Sequence, residues 1–130
     1  MAEKKQATGA GKKILIVEDT ASIAEVMKLK LDGSGFPATV ATNGVEALEA
    51  LEKETFDLIL LDLIMPKLDG FGVLQELKKR KITTPVIVTT NLGQPEDMAR
   101  VKEFGVKDYL LKVDMPLKEM VERIKKVLVS

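Results

Sequence analysis

From Lys13 onward, the chain alternates short apolar runs with longer amphipathic stretches. Five runs rich in Val, Ile and Leu are predicted as strands, at 13–18, 38–42, 58–62, 86–90 and 108–112. Three of these runs are almost continuously hydrophobic instead of alternating with polar residues. That pattern is typical of strands covered on both faces, so it predicts a central parallel sheet.

Between the runs, apolar residues recur at helical spacing and predict five helices. The first helix covers 20–32, with Gly33 and Gly35 as stop signals, and Asn43 is predicted to cap the second. The residues that mark one side of each helix are Ile23, Val26, Met27, Lys30 and Leu31; Val45, Leu48 and Leu51; Phe71, Leu74 and Leu77; Met98, Val101 and Phe104; Met120, Val121, Ile124, Val127 and Leu128. Five strand–helix pairs in order predict one alternating α/β domain with right-handed crossovers.

The ends of the chain carry fewer signals than its centre. Residues 1–12 are small and polar and are predicted to be a disordered lead, which leaves 13–130 as the folded domain. Neither a secretory signal nor an apolar run long enough for a membrane helix is present. We therefore expect a cytoplasmic chain without membrane insertion. We expect no output domain after the fifth helix, and therefore either a stand-alone domain or one excised from a longer protein.

The amino-acid composition excludes several kinds of binding and catalytic site. The 130 residues contain 20 Lys and Arg against 20 Asp and Glu, whereas a binder of the nucleic acid backbone normally has a large basic excess. We therefore expect no direct nucleic acid binding by this chain. It has no Cys and no His, which excludes thiolate nucleophiles, Ser-His-Asp triads and histidine metal sites. Any reaction must use carboxylates, hydroxyls, lysines and backbone groups.

Polar residues end several of the predicted strands. In a parallel α/β sheet these ends meet at one rim, where such folds bind their ligands. The residues at the strand ends are Glu18 and Asp19, Asp62, Thr89 and Thr90, and Lys112. Three acids in one cleft repel each other unless a cation neutralises them or some stay protonated. Hard oxygen ligands favour Mg²⁺, and a metal beside a carboxylate nucleophile, a lysine and a hydroxyl suits phosphoryl transfer.

Four stretches of this sequence carry a family resemblance: ILIVED, DLILLDLIMPKLDGFGVL, TPVIVTT and GVKDYLLK. With them the chain resembles the receiver domain of two-component response regulators, the family of the chemotaxis response regulator. The resemblance extends from Ile14 to the C-terminus. It implies a flavodoxin-like α/β fold, with a five-stranded parallel sheet in (βα)5 order, strand order 2-1-3-4-5 and helices on both faces.

The resemblance also implies roles for the residues at the rim. Asp62 would be the phosphoacceptor, and Glu18 and Asp19 would form with it the acidic site for Mg²⁺. Asp19 would be a direct ligand and Glu18 would act mainly through water, while the backbone carbonyl of Ile64 would complete the protein ligands. Lys112 would pair with the phosphoryl group.

Thr90 and Tyr109 match the switch residues of the family, a hydroxyl and an aromatic ring that move together. Two positions depart from the family pattern, because Val113 instead of proline follows Lys112, and Asn91 instead of a small residue follows Thr90. Neither departure removes a required group, but both concern the loops that shape the site.

The leading hypothesis is a phosphorylation-controlled binding switch that catalyses only its own phosphorylation and dephosphorylation. Its donor would be a sensor histidine kinase or a histidine phosphotransfer protein, and its target would be another protein. The alternatives are a haloacid-dehalogenase phosphatase, a flavodoxin-like electron carrier and an inert pseudo-receiver. The phosphatase needs an acid where Ile64 stands, and the acids after the first strand would repel a flavin phosphate.

Two apolar residues are expected to control the lifetime of the phosphorylated state. By resemblance, Ile64 and Leu92 flank the approach of a hydrolytic water, two residues after Asp62 and Thr90 respectively. Apolar side chains cannot orient that water, so the sequence predicts slow loss of the phosphoryl group.

Overall fold

A computed structural model describes residues 11–91, 93–112 and 115–129. Five strands alternate with five helices in this part of the chain, as predicted. The strands are β1 (Ile14–Val17), β2 (Ala38–Ala41), β3 (Leu58–Leu61), β4 (Val86–Thr90) and β5 (Asp108–Leu111). The helices are α1 (Ala21–Gly33), α2 (Gly44–Lys53), α3 (Gly70–Lys79), α4 (Pro95–Lys102) and α5 (Leu117–Val129).

The strands form one parallel sheet in the order β2-β1-β3-β4-β5, which confirms the predicted flavodoxin-like topology. Every residue of β1, β3 and β4 is buried. These three strands occupy the centre of the sheet and have helices over both faces, which explains their continuous hydrophobicity. Val17 pairs with both Ala41 and Leu61, so the chain leaves β1, β2 and β3 at the same rim.

Alternate residues of each strand enter two separate core layers. Leu15 and Val17 pack with residues of α2, α3 and α4 on one face of the sheet. Ile14 and Ile16 pack with residues of α1 and α5 on the other face. Because side chains alternate across a strand, the burial of both sets fixes the register of the sheet.

Helix ends follow the predicted signals with one adjustment. Asn43 caps α2, since its side-chain oxygen accepts a hydrogen bond from the backbone N–H of Glu46 at 2.9 Å. Gly33 is the last residue of α1 and not its stop signal. The chain turns at Gly35, which has a φ of 91°. Glycine adopts this left-handed conformation without the steric penalty of a side chain.

Some marker residues of the predicted helices lie outside the core. Met27 and Leu31 of α1 are buried, but Ile23 and Val26 are 37% and 51% exposed. Ala24 is buried in their place, because it lies one turn before Met27. Val45 of α2 is also exposed at 44%. Phe104 follows α4 in a turn, although it still packs against the core.

The sequence analysis predicts a disordered lead over residues 1–12. Of these, residues 1–10 lie outside the described part of the chain. Gly11, near its end, donates a backbone hydrogen bond to the carbonyl of Gly35 at 3.3 Å. Among the described residues, no helix combines the length and apolar character that a membrane span requires.

Candidate functional site

Three carboxylates meet at the rim where β1 and β3 end. Glu18 follows β1 and is 1% exposed, and Asp62 follows β3 and is 5% exposed. Asp19, beside Glu18, is exposed to solvent. One oxygen from each carboxylate lies within 4.8 Å of the other two. The structure therefore brings the three predicted acids together, although they lie up to 44 residues apart in the chain.

Lys112 places its ammonium group between the two buried acids. Its Nζ contacts Glu18 Oε1 and lies 3.1 Å from Asp62 Oδ2, and its side chain is 13% exposed. The other oxygens are also bonded, because Thr20 N–H donates to Glu18 Oε2 at 3.1 Å and Ile64 N–H donates to Asp62 Oδ1 at 3.3 Å. The two buried carboxylates thus have a cation and backbone donors to offset the cost of their burial.

Most of these groups line an open pocket of about 320 Å³, although Glu18 is not among its lining residues. Its walls comprise Asp19, Thr20, Ile23, Asp62, Ile64, Thr90, Asn91 and Lys112. Thr90, the last residue of β4, is completely buried, whereas Ile64 is 58% exposed. The pocket thus combines acids, a hydroxyl and a lysine at one end of the sheet. Sequence reasoning did not single out Thr20, whose backbone N–H holds Glu18, or the pocket-lining role of Ile23.

Tyr109 does not line this pocket. It lies on β5 opposite Val88 and packs against the core layer beneath α3 and α4. Thr90 lies two residues after Val88, so Thr90 and Tyr109 belong to the same face of the sheet. Burial raises the pKa of the Tyr109 phenol above its ordinary value, and the negative charge of Asp97 on α4 raises it further.

Two residues named in the sequence analysis, Leu92 and Val113, lie outside the described residues. Asn91, which departs from the family pattern, lines the pocket beside Thr90. It is exposed, so a polar amide stands at the mouth of the pocket.

The chemistry of the site suits a hard divalent cation. Its side-chain donors are carboxylate oxygens, and the sequence contains neither cysteine nor histidine. Mg²⁺ prefers oxygen ligands and retains several of its waters, so it needs few protein ligands. The cluster of Glu18, Asp19 and Asp62 could hold such an ion.

Comparison with known proteins agrees with the observed fold. Residues 14–125 match the family model of the response regulator receiver domain. A protein of Pyropia yezoensis called "Probable transcriptional regulator ycf27" is 44% identical over 116 residues, which cover 89% of this chain and 47% of that protein. The chain belongs to the response regulator receiver family and is a receiver domain of two-component signalling.

Two solved structures illustrate the likeness. The receiver domain of the Francisella response regulator 1452 has a TM-score of 0.86 and 34% identity, and the alignment covers 92% of this chain and 98% of that one. TrrA of Thermotoga maritima, solved in complex with Mg²⁺–BeF, has a TM-score of 0.78 and 31% identity, covering 90% and 99% of the two chains. The present chain spans about half the length of the curated relatives that it matches.

Proposed function

We propose that this domain is a phosphorylation-controlled switch in which Asp62 accepts a phosphoryl group. The convergence of Glu18, Asp19 and Asp62 with Lys112 at one rim of the sheet carries this proposal. The donor is a phosphohistidine of a sensor kinase or a phosphotransfer protein, because the chain has no histidine of its own. The partner and the chemistry are typical of the family.

In the proposed reaction, a carboxylate oxygen of Asp62 attacks the phosphorus in line. The P–N bond to the donor histidine breaks as the P–O bond to Asp62 forms, and the electron pair of the broken bond stays on the imidazole. Lys112, already 3.1 Å from Asp62 Oδ2, neutralises negative charge on the transferring group. Its side chain therefore acts where the charge develops.

The acidic cluster would hold Mg²⁺ through Glu18, Asp19, Asp62 and the carbonyl of Ile64. When bound, the ion supplies charge neutralisation for the phosphoryl oxygens. A relative at 31% identity, TrrA, was solved in complex with Mg²⁺–BeF, which supports this assignment. The acids, and not the lysine, would then face the metal.

The proposed output is a change of the surface formed by α4, β5 and α5. The phosphorylated Asp62 attracts the hydroxyl of Thr90, and Tyr109 moves into the space that this hydroxyl leaves. This movement shifts an existing equilibrium between two states of the surface. The target is another protein that recognises one of these states, and the surface itself does not contact nucleic acid.

Labelling with acetyl phosphate and Mg²⁺, followed by mass spectrometry of the intact protein, tests the acceptor. Asp62→Asn should stay folded and take up no phosphoryl group, because the amide is not a nucleophile. Asp57→Asn is the matched control, since Asp57 is exposed at the opposite end of β3 and should not affect labelling. Undiminished labelling of Asp62→Asn would overturn the assignment. An unlabelled wild-type protein would instead favour the inert pseudo-receiver.

The family match sets aside the phosphatase and electron-carrier alternatives, since neither belongs to the receiver family. Within the receiver family, the alternative to the proposed switch is an inert pseudo-receiver. The labelling experiment addresses it directly.

A further inference from the structure

The loop between β3 and α3 has an unusual backbone. It contains Asp62 and Ile64, and its ends are joined by a hydrogen bond from Gly70 N–H to the carbonyl of Leu63 at 3.0 Å. Leu68 N–H donates to the carbonyl of Pro66 at 2.8 Å, which closes a γ-turn around Lys67. Lys67 has a φ of 68°. A γ-turn of this hand is rare and strained, so surrounding contacts must hold it in place.

Leu68 supplies those contacts. Its carbonyl accepts a hydrogen bond from the backbone N–H of Gly44 at 3.1 Å, and its side chain packs against the core layer under α2 and α3. Gly44 is the first residue of α2, and Gly72 lies in the first turn of α3. Leu68 therefore ties the loop to the beginning of two helices.

The two glycines leave the room that Leu68 occupies. A methyl group on Gly44 would lie 2.7 Å from Leu68 Cβ and 2.9 Å from its carbonyl carbon. A methyl group on Gly72 would collide with Leu68 Cδ1 and lie 3.1 Å from its Cγ. At Gly44 the clash is with the Leu68 backbone and Cβ, so the loop or α2 would have to shift, whereas at Gly72 the Leu68 side chain would have to leave its present position. We call the space between these two glycines the Leu68 seat.

We propose that Leu68, held in this seat, is a positioning residue for the acidic pocket. Leu68 does not line the pocket, so it acts through the backbone that leads to Ile64 and Asp62. Ile64 N–H bonds to Asp62 Oδ1, and the Ile64 carbonyl is the backbone ligand in the proposed metal site. This inference rests on the proposed function, because it assigns to Leu68 the preorganisation of that site.

Magnesium affinity separates positioning from simple packing. A residue that only fills the core would lower the free energy of unfolding and leave the affinity of the folded protein for Mg²⁺ unchanged. Residues that orient metal ligands typically change metal affinity by 10–100-fold. For Leu68→Ala we expect a loss of roughly tenfold in Mg²⁺ affinity, measured by calorimetric titration under conditions where the variant is folded.

Amide hydrogen exchange without Mg²⁺ gives a second measurement. In Leu68→Ala, exchange of the Gly44, Leu68 and Gly70 amides should accelerate, because the hydrogen bonds of the loop open more often. Leu68→Met preserves most of the volume and should retain the affinity for Mg²⁺ and the slow exchange.

The matched control is Leu77→Ala. Leu77 is a leucine of the same core layer, 4% exposed, near the opposite end of α3. Its truncation should destabilise the fold and leave the Mg²⁺ affinity unchanged. Equal Mg²⁺ affinities of Leu68→Ala and wild type would overturn the positioning role, as would an equal loss in Leu77→Ala.

Double variants test the seat itself. The methyl of Gly72→Ala meets side-chain atoms of Leu68, so Gly72→Ala/Leu68→Ala should bind Mg²⁺ as tightly as Leu68→Ala alone. The methyl of Gly44→Ala meets the Leu68 backbone, which truncation of the side chain does not relieve, so those two losses should add. If the losses of Mg²⁺ affinity added in both double variants, the proposed fit of the Leu68 side chain against Gly72 would be wrong. If wild type itself bound no Mg²⁺, the proposed function would fail instead.

Discussion

Lys112 Nζ lies 3.1 Å from Asp62 Oδ2, which joins the end of β5 to the end of β3. The same ammonium group contacts Glu18, a carboxylate that is almost fully buried. One lysine thus offsets the repulsion between two acids from different strands. Removal of its charge should affect both the reaction and the stability of the fold.

For Lys112→Ala, we expect the rate of labelling by acetyl phosphate to fall about 10–100-fold, since a hydrogen bond to a charged group contributes about 1.5–3 kcal/mol. The variant should also lose about 3–5 kcal/mol of stability in urea, because Glu18 remains buried without its cation. Lys107→Ala is the control, since Lys107 is an exposed lysine just before β5. Unchanged labelling of Lys112→Ala would contradict the role of this lysine.

Thr89 provides a matched control for the proposed switch residue Thr90. Both hydroxyl side chains are buried, but they face opposite sides of β4. Thr90→Ala should still be phosphorylated, yet the change that phosphorylation causes around Tyr109 should disappear. Thr89→Ala should retain that change. Tyr109 is the only tyrosine and the chain has no tryptophan, so tyrosine fluorescence reports its environment. The same loss in both variants would exclude a specific role for Thr90.

The ionisation of Tyr109 should depend on its surroundings. Its pKa is raised above 10.0, first by burial and then by Asp97. Because the neutral phenol is favoured in the folded state, its contribution to stability is present below pH 10 and is lost as the pH rises through the higher folded pKa. Absorbance titration of tyrosinate should show the raised pKa, and Asp97→Asn should lower it in part. A midpoint equal to that of the unfolded protein would contradict this expectation.

The lifetime of the phosphorylated state should be long. Ile64 lines the pocket with an apolar side chain that is 58% exposed and cannot orient a water. Ile64→Asn combined with Leu92→Glu should accelerate decay by about tenfold or more, a factor that corresponds to about 1.4 kcal/mol of barrier. The measurement is the decay of phosphorylated protein after the donor is removed. Equal or slower decay in the double variant would show that these side chains do not control the water.

Lys81 offers a test of backbone strain. The turn after α3 has the same two backbone hydrogen bonds as the turn after α1, from Lys81 to Lys78 and from Ile82 to Leu77. Its left-handed position is occupied by Lys81, with a φ of 59°, where α1 has Gly35. Lys81→Gly should stabilise the protein by about 0.5–1 kcal/mol in urea. Gln75→Gly, at an exposed position in the middle of α3, should destabilise it by a similar amount.

The contrast between Ile16 and Ile23 shows how much of the core could be predicted from the spacing of apolar residues. Ile16 belongs to a continuous apolar run, and such runs are stable only between two layers, so the pattern predicted a buried strand. Ile23 and Val26 have helical spacing, but spacing does not determine where the apolar stripe of a helix is centred. Only the packing of α1 on the sheet decided that Ala24 would be buried and that these two residues would be exposed.

The order of the strands in the sheet likewise could not be predicted from local sequence pattern. The alternation of strands and helices follows from local patterning, but the order β2-β1-β3-β4-β5 came from the family resemblance. Nothing local to a strand determines which neighbour it pairs with, since pairing is a choice among distant segments.

The sequence by itself determined that Glu18, Asp19, Asp62, Thr90 and Lys112 lie at or just beyond the carboxyl ends of their strands, and the carboxyl ends of parallel strands lie at one rim. Tertiary structure decided that Lys112 contacts Glu18 as well as Asp62, and that Leu68 fits between Gly44 and Gly72. Those contacts depend on how loops and helix ends pack in three dimensions. A residue's position in a strand is set by neighbours in the chain, but a loop's shape is set by surfaces that only the folded molecule brings together.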